Sequence, residues 1–293
     1  INYKAAENLS LKAAFSNITQ NLHLLSNSSL GVPTDTWLPP AKDMPPQNSN
    51  QYVVNVSFTE KHTKLQIETE GFYKTMHNLI DFKEGMSYSM LHTDISDALE
   101  SGGFGRVFGA EFLIRKKHGK TTGWLAYTIS KNERRFDNIN SGKFFPAQYD
   151  RRHDFSLMLN HRFSEKFSVS ANWIYTSGNM TTLAEASFPA HFLNPTFTGH
   201  NNPEPDRIDG FSGISAYYYG GKNNYRLPPY HRLDVNFVYR KQKKRGIASW
   251  QVGLYNTYNQ KNIFFLYHKN EGRDLYKFTL FPILPSLSYS FKF

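Results

Sequence analysis

In Ser286-Leu287-Ser288-Tyr289-Ser290-Phe291-Lys292-Phe293, apolar and aromatic residues hold the odd positions, and serine or lysine holds the even ones. Successive side chains on a strand point to opposite faces, so this stretch reads as a β-strand with one apolar and one polar face. The same sorting recurs upstream. Phe167, Val169, Ala171, Trp173 and Tyr175 stand against Ser168, Ser170, Asn172 and Ile174. Leu233, Val235, Phe237 and Tyr239 stand against Arg232, Asp234, Asn236 and Val238, and Leu9, Leu11, Ala13 and Phe15 against Ser10, Lys12, Ala14 and Ser16. Further segments at 51–58, 64–74, 104–115, 121–129, 151–163 and 249–258 bring the total to about ten strands, each near the ~9 to 11 residues that a tilted strand needs to cross a bilayer. The segment 121–129 carries apolar residues on both faces and reads least cleanly.

The connections alternate between short and long. Short turns lie around 59–63, 116–120, 164–166 and 241–246, and long ones run over 20–50, 77–103, 130–150, 177–227 and 261–273. Soluble sandwiches and propellers have no reason to gather every long loop on one side. Outer-membrane barrels do so, with short periplasmic turns and long extracellular loops. On that count the first strand runs outward and the last inward, which leaves Phe293 in the periplasm. The expectation is an all-β transmembrane antiparallel barrel. Short turns also collect cations, in Arg115-Lys116-Lys117-His118-Gly119-Lys120 and in Arg240-Lys241-Gln242-Lys243-Lys244-Arg245, where a barrel would meet lipid phosphates or solvent.

Composition removes several alternatives. A helical span needs roughly 18 consecutive apolar residues, and runs such as 278–284 are far shorter and broken by Pro282. The negative mean hydropathy is neutral toward a barrel, because only every second residue of each strand faces lipid. With no cysteine there are no disulfides, thiolate metal sites or cysteine nucleophiles. The net charge of +10 comes with no basic helix or nucleic-acid motif, so no nucleic-acid partner is expected. Ile1 is followed by neither a basic nor an apolar leader, which reads as a start inside a longer polypeptide.

No catalytic constellation emerges. In Asp150-Arg151-Arg152-His153-Asp154 the histidine cannot share a strand face with both Arg152 and Asp154. Ion pairing of Asp150 and Arg152, and of Arg232 and Asp234, across the lumen or between neighbouring strands is the simpler reading. The 11 histidines show no H-x-x-x-H spacing, so no metal site is expected. There is no G-x-S-x-G elbow, and Gly102-Gly103-Phe104-Gly105 lacks the strand-to-helix context of a nucleotide loop. No cofactor is expected, and the chain reads as a non-enzyme.

Several stretches resemble the distal barrel of TonB-dependent outer-membrane transporters. They are Phe145-Pro146-Ala147-Gln148-Tyr149-Asp150-Arg151-Arg152-His153-Asp154, Arg226-Leu227-Pro228-Pro229-Tyr230-His231-Arg232-Leu233-Asp234, Leu254-Tyr255-Asn256-Thr257-Tyr258-Asn259-Gln260-Lys261-Asn262 and Gly123-Trp124-Leu125-Ala126-Tyr127. The terminal strand ending on Phe293 is similar to the one by which outer-membrane barrels are recognised for assembly. The resemblance implies that residues 1–293 form the carboxy-terminal part of a barrel of about 22 strands. The plug domain and early strands, absent from this chain, would come from the same or another polypeptide. It implies energised import of a scarce nutrient, whether siderophore, haem, cobalamin, peptide or glycan, with TonB engaged through the plug. Outer-membrane lipid and lipopolysaccharide are expected partners. A surface lipoprotein is a further candidate, although the match to the larger glycan transporters that carry such a lid is not evident.

Aromatic loop side chains offer large rigid surfaces with a polar tip. Trp37, Tyr217, Tyr218, Tyr219 and Tyr225, with His200 and Asn223 beside them, are therefore the expected ligand contacts; packing of loop against loop, or the upper aromatic girdle, is the competing role for the aromatic residues. Two other classes stay open at this stage. One is a small self-closing barrel acting as a passive pore or adhesin, in which the first and last strands pair. The other is an outer-membrane barrel enzyme or a soluble all-β binding protein.

Overall fold

The computed structural model describes residues 1–25, 36–84, 95–189, 215–269 and 274–293. Its strands are β1 (Asn2–Ala6), β2 (Leu9–Gln20), β3 (His23–Leu25), β4 (Thr36–Leu38), β5 (Gln47–Thr59), β6 (Leu65–Phe82), β7 (Leu99–Lys116), β8 (Thr121–Arg135), β9 (Phe145–Pro146) and β10 (His153–Arg162). They continue with β11 (Phe167–Thr176), β12 (Met180–Thr181), β13 (Ala186–Pro189), β14 (Ser215–Tyr218), β15 (Tyr225–Arg226), β16 (Tyr230–Lys243), β17 (Gly246–Tyr255), β18 (Ile263–Lys269), β19 (Asp274–Thr279) and β20 (Leu284–Lys292). One antiparallel sheet carries the fold, in the order β1-β2-β5-β6-β7-β8-β10-β11-β16-β17-β20, with β9 added beside β8. Each strand pairs with the next one along the wall. Among the described residues β1 and β20 do not pair with each other, so the sheet has two open edges.

The register shows how the sequence sorts its side chains. One continuous row runs Leu11, Val56, Thr69, Phe112, Tyr127, Phe155, Tyr175, His231 across eight strands. A row nearer the long-loop end runs Phe15, Tyr52, Tyr73, Phe108, Lys131 on the same face. The opposite face carries Asn55, Glu70, Glu111 and Thr128 in one row. The apolar face is the more open one: Tyr52 and Val54 are 51% and 59% exposed, while Val53, Asn55 and Ser57 between and beside them are half-buried. A sheet that turns its valines outward and its glutamates into its own concavity is built for an apolar solvent.

Two features depart from the reading of the sequence alone. The wall has an eleventh strand, β1, whose five residues are too few to show alternation. Strands β6, β7 and β8 also continue past the ends expected for them, to Phe82, from Leu99 and to Arg135. Beyond the aromatic row the outward positions become Asn17, Asn50, Thr75, Arg106 and Glu133, so both faces are polar there and the period-two contrast disappears. The long connections are structured as well: β3–β4, β12–β15, β13–β14 and β18–β19 are two-stranded ribbons within them.

Nearly all of the deeply buried apolar side chains lie at this end and in these connections. Leu25, Ile80, Phe82, Ala98 and Leu99 form one cluster, with Leu38 and Met44 against it. Leu79, Phe136, Ile139 and Phe145 form a second, with Met76 against it. The long loops are thus folded together into a crown with a core of its own.

Candidate ligand-binding surface at the long-loop end

The concave face beneath the crown holds a cavity of about 540 Å³, within the size range of small-molecule sites. Two register rows make its floor: Asp154, Thr176 and Tyr230, then Ser156, Ile174 and Arg232. Tyr255 at the end of β17 closes one side, and Asn256, Asn262, Phe264 and Phe281 from the last long connection close the top. Inward projection of Tyr230 and Arg232 follows from Leu233 facing outward beside them. Arg232 is held on several sides. Its Nε donates to Asp234 Oδ2 at 3.0 Å, and its Nη1 donates to the Tyr230 and Tyr255 hydroxyls at 3.0 and 2.7 Å. Its guanidinium lies 4.2 Å from the Tyr255 ring centroid. The cavity floor thus offers one fixed cation, paired with Asp234, among aromatic rings with polar tips.

The other carboxylate oxygen of Asp234 explains why the stretch 254–262 has its sequence. Oδ1 accepts from the Asn256 backbone N–H at 2.9 Å, where the chain turns with Asn256 at φ 50°. Asn259 is also left-handed, at φ 55°, a region that asparagine tolerates better than most residues. The buried Asn256 amide donates to the Gln260 and Phe281 carbonyls at 2.9 and 3.1 Å, and its oxygen accepts from Gln260 N at 2.9 Å. Asn262 exchanges two hydrogen bonds with the His231 backbone, at 2.9 and 3.0 Å. These asparagines fasten the last long connection to β16.

Asp150 performs the same task for the largest connection. Its side chain is fully buried, pairs with Arg226 and, at 3.4 Å, with Arg152, and accepts from Asn132 N at 2.7 Å. Arg226 also donates to the carbonyls of Asp150 and Gly178. Gly178 is required there by space, since a Cβ on it would lie 1.8 Å from the Leu227 carbonyl oxygen. Farther out, Lys222 pairs with Asp81, and its backbone N–H and carbonyl bond the Asn140 side chain at 2.7 and 3.1 Å.

The sequence-expected contacts fall in different places. Trp37 on β4 and Tyr218, Tyr219 and Tyr225 around the returning limb of the largest connection are exposed at the crown surface. Tyr217 lies on β14 opposite Ser187, and His200 lies outside the described residues. Asn223 is 8% exposed, sits at φ 53° and donates its amide to the Pro146 carbonyl at 2.8 Å, so it clamps two connections. Tyr230, Tyr255, Phe264 and Phe281 were missed as site residues. Inward parity beside Leu233 was a signal available for Tyr230, whereas nothing in the sequence pointed to Phe264 or Phe281.

A family model described as "TonB dependent receptor-like, beta-barrel" matches residues 1–257. The chain belongs to this family. Similar solved structures include the pyoverdine outer membrane receptor FpvA from Pseudomonas aeruginosa PAO1, 13% identical with a TM-score of 0.62, where the match covers 100% of this chain and 35% of that one. The siderophore receptor PiuA from Acinetobacter baumannii gives the same four values. The ferric-catecholate import receptor Fiu from E. coli K12 is 15% identical with a TM-score of 0.58, over 98% of this chain and 33% of that one. A comparison with curated protein sequences finds no match. At these identities the likeness shows the fold, and this TonB-dependent receptor barrel spans about a third of the length of the solved receptors it matches. The all-β antiparallel architecture and a bacterial outer-membrane location follow from family and fold together.

Proposed function

We propose that residues 1–293 are the carboxy-terminal part of the barrel of a TonB-dependent transporter that captures a ferric siderophore or a similar scarce nutrient for energised import. The observation carrying this reading is the open-edged wall joined to the crown: an exposed apolar face, two strand edges unpaired among the described residues, and the connections that follow β11 and β17 meeting over a cavity lined by Arg232, Tyr230 and Tyr255. Unpaired edges are not tolerated in lipid, so β1 and β20 would continue into the remaining strands of a larger barrel. A plug within that barrel would meet TonB. The long connections would be extracellular and Phe293 periplasmic. The open edges among the described residues speak against the self-closing pore.

The siderophore class is supported by the likeness in fold to FpvA, PiuA and Fiu and by the fixed cation among phenols. The test is uptake of labelled ferric siderophores by cells carrying the full-length protein, with and without TonB. Replacing 186–218 by a short linker, which spares Lys222, Asn223 and Arg226, and separately Tyr255→Ala with Phe281→Ala, should each lower binding at least about tenfold while the barrel stays folded. Uptake that persists without TonB sinks the energised mechanism. Unchanged binding in both variants sinks the site.

A further inference from the structure

Two charges on the cavity lining are left open by the rest of the molecule. The other ionic groups near it are matched: Asp150 takes Arg226 and Arg152, and Asp234 takes Arg232. Arg151 and Asp154 also line the cavity, and among the described residues neither makes an ion pair. Asp154 stands on the concave face in the row Thr128, Asp154, Thr176, Tyr230. It is half-buried there, and among the described residues its carboxylate accepts no hydrogen bond. Arg151, two residues before β10, is exposed and donates from Nε to Asn179 Oδ1 at 3.1 Å. Its guanidinium is thus oriented by a neutral partner, with the charge still to be matched.

The pair has a chemical consequence. A carboxylate partly withdrawn from water is costly unless a cation or donors meet it, and Arg151 is near enough to be that cation. Three residues of extended chain separate the two Cα atoms by at most about 11 Å, a gap that a long arginine stem can largely cross. The bond to Asn179 holds Arg151 instead, so an open cation and an open carboxylate stand side by side on one cavity. Arg232, closed on Asp234 and on two phenols, adds no free charge. We propose that the ligand brings opposite charges of its own, an ammonium group for Asp154 and a carboxylate for Arg151, as a metal chelate bearing a free amino-acid group does. A chelate of uniform negative charge would satisfy Arg151 and be repelled by Asp154. The proposal rests on the cavity being the ligand site, and it narrows the ligand from siderophores at large to zwitterionic ones.

The test uses the full-length protein purified in detergent, titrated calorimetrically with three ferric trihydroxamates, whose chelate core is uncharged. One bears a free α-amino acid group, the second is its N-acetylated form and the third its methyl ester. Wild type should bind the first at least about tenfold more tightly than either blocked form. Asp154→Asn should bring the free form down to the level of the N-acetylated one, and Arg151→Gln to the level of the ester. Heat-modifiable gel migration checks the fold of each variant, and the two report independently. Equal binding of the three compounds by wild type, or equal losses across the three in the variants, overturns the zwitterionic ligand. Displacement of the chelate by a metal-free dipeptide at equal concentration overturns the chelate and gives the site to peptides. Tyr255→Ala with Phe281→Ala separates this proposal from the one it rests on. If that variant weakens all three compounds and wild type prefers none, the charge pairing alone is refuted; if it weakens none, the cavity is refuted as the ligand site.

Discussion

The wall and the crown are made from one chain and obey opposite rules. In the wall Val54 is 59% exposed and Tyr52 51%, while Asn55, Ser57 and Glu70 on the opposite face are half-buried. In the crown Ile139 is 0% and Phe136 2% exposed, and the polar residues at the surface surround an ordinary apolar core. Hydrophobic burial is driven by removal from water. The crown, being wet, must hide its apolar groups within itself; the wall hides them in lipid and has no core. The two regions should therefore fail differently. The largest effect is expected for Phe136→Ala, which leaves a cavity in the second cluster and costs about 3 to 5 kcal/mol of local stability. Limited proteolysis should then open the connections around 136–152 and 177–229 while heat-modifiable migration of the barrel is unchanged. Loss of the barrel band would show that crown and wall are one cooperative unit.

The mirror experiment is in the wall. Val54→Arg puts a charge on the lipid face, at a cost of about 2 to 4 kcal/mol near the bilayer midplane. Ser57→Arg, three residues on and facing the concave side, should cost under about 1 kcal/mol. Refolding into vesicles under urea measures both. Equal penalties would mean that the apolar face is not the lipid face, and the contrast between the two regions would fall.

A sharper probe of the junction is Asp150→Ala. Removing it leaves Arg226 against the carbonyls of Asp150 and Gly178 and takes from Arg152 its ion-pair partner, and breaking such a pair costs about 3 kcal/mol. Because Asp150 also bonds Asn132 N at the end of the wall, fraying of β8 should accompany release of the largest connection. Hydrogen exchange at 130–135 that stays at the wild-type rate would confine Asp150 to the crown.

The same contrast explains what the sequence revealed. A wall between two solvents repeats with period two, so Leu287, Tyr289 and Phe291 announced it without any knowledge of contacts. The crown has no period. Its second cluster joins Leu79 to Phe136, Ile139 and Phe145, and its clamp joins Asp150 to Arg226, pairings set by tertiary closure that no local pattern records. The motif stretches 145–154, 226–234 and 254–262 were visible as residues, and the structure gives their purpose: their Asp, Asn and Arg side chains tie long connections to strand ends. The clamp by Asn223 was not legible, because an asparagine in a polar loop looks the same whether it awaits a ligand or clamps a carbonyl. The cavity rows were partly legible, since Arg232 and Asp234 fell on the inward parity, but Phe264 and Phe281 reach the cavity only through the folding of 256–283.

The smallest effect is expected at the opposite end, in the short turn between β5 and β6. The Glu60 carboxylate accepts from the Thr63 hydroxyl at 2.6 Å, from Thr63 N and from His62 N at 2.9 Å. The Thr63 hydroxyl and these two amides lower its pKa from an ordinary 4.5 to about 2. A carboxylate whose folded pKa lies below its unfolded one stabilises the turn fully above the unfolded value, and that stabilisation is lost as pH falls from about 4.5 through 2. The turn between β10 and β11 supplies a comparison, because there the acceptor is a hydroxyl, which does not titrate: Ser164 Oγ accepts from Lys166 N and Phe167 N at 3.2 and 3.1 Å. After correction for intrinsic rates, exchange at His62 and Thr63 should rise over that pH window while exchange at Lys166 and Phe167 stays level. Glu60→Gln should exchange fast at His62 and Thr63 already at neutral pH and show no such window. A Glu60 pKa measured near 4.5 would mean that these bonds do not persist in solution, and that the short-turn end is held by strand pairing alone.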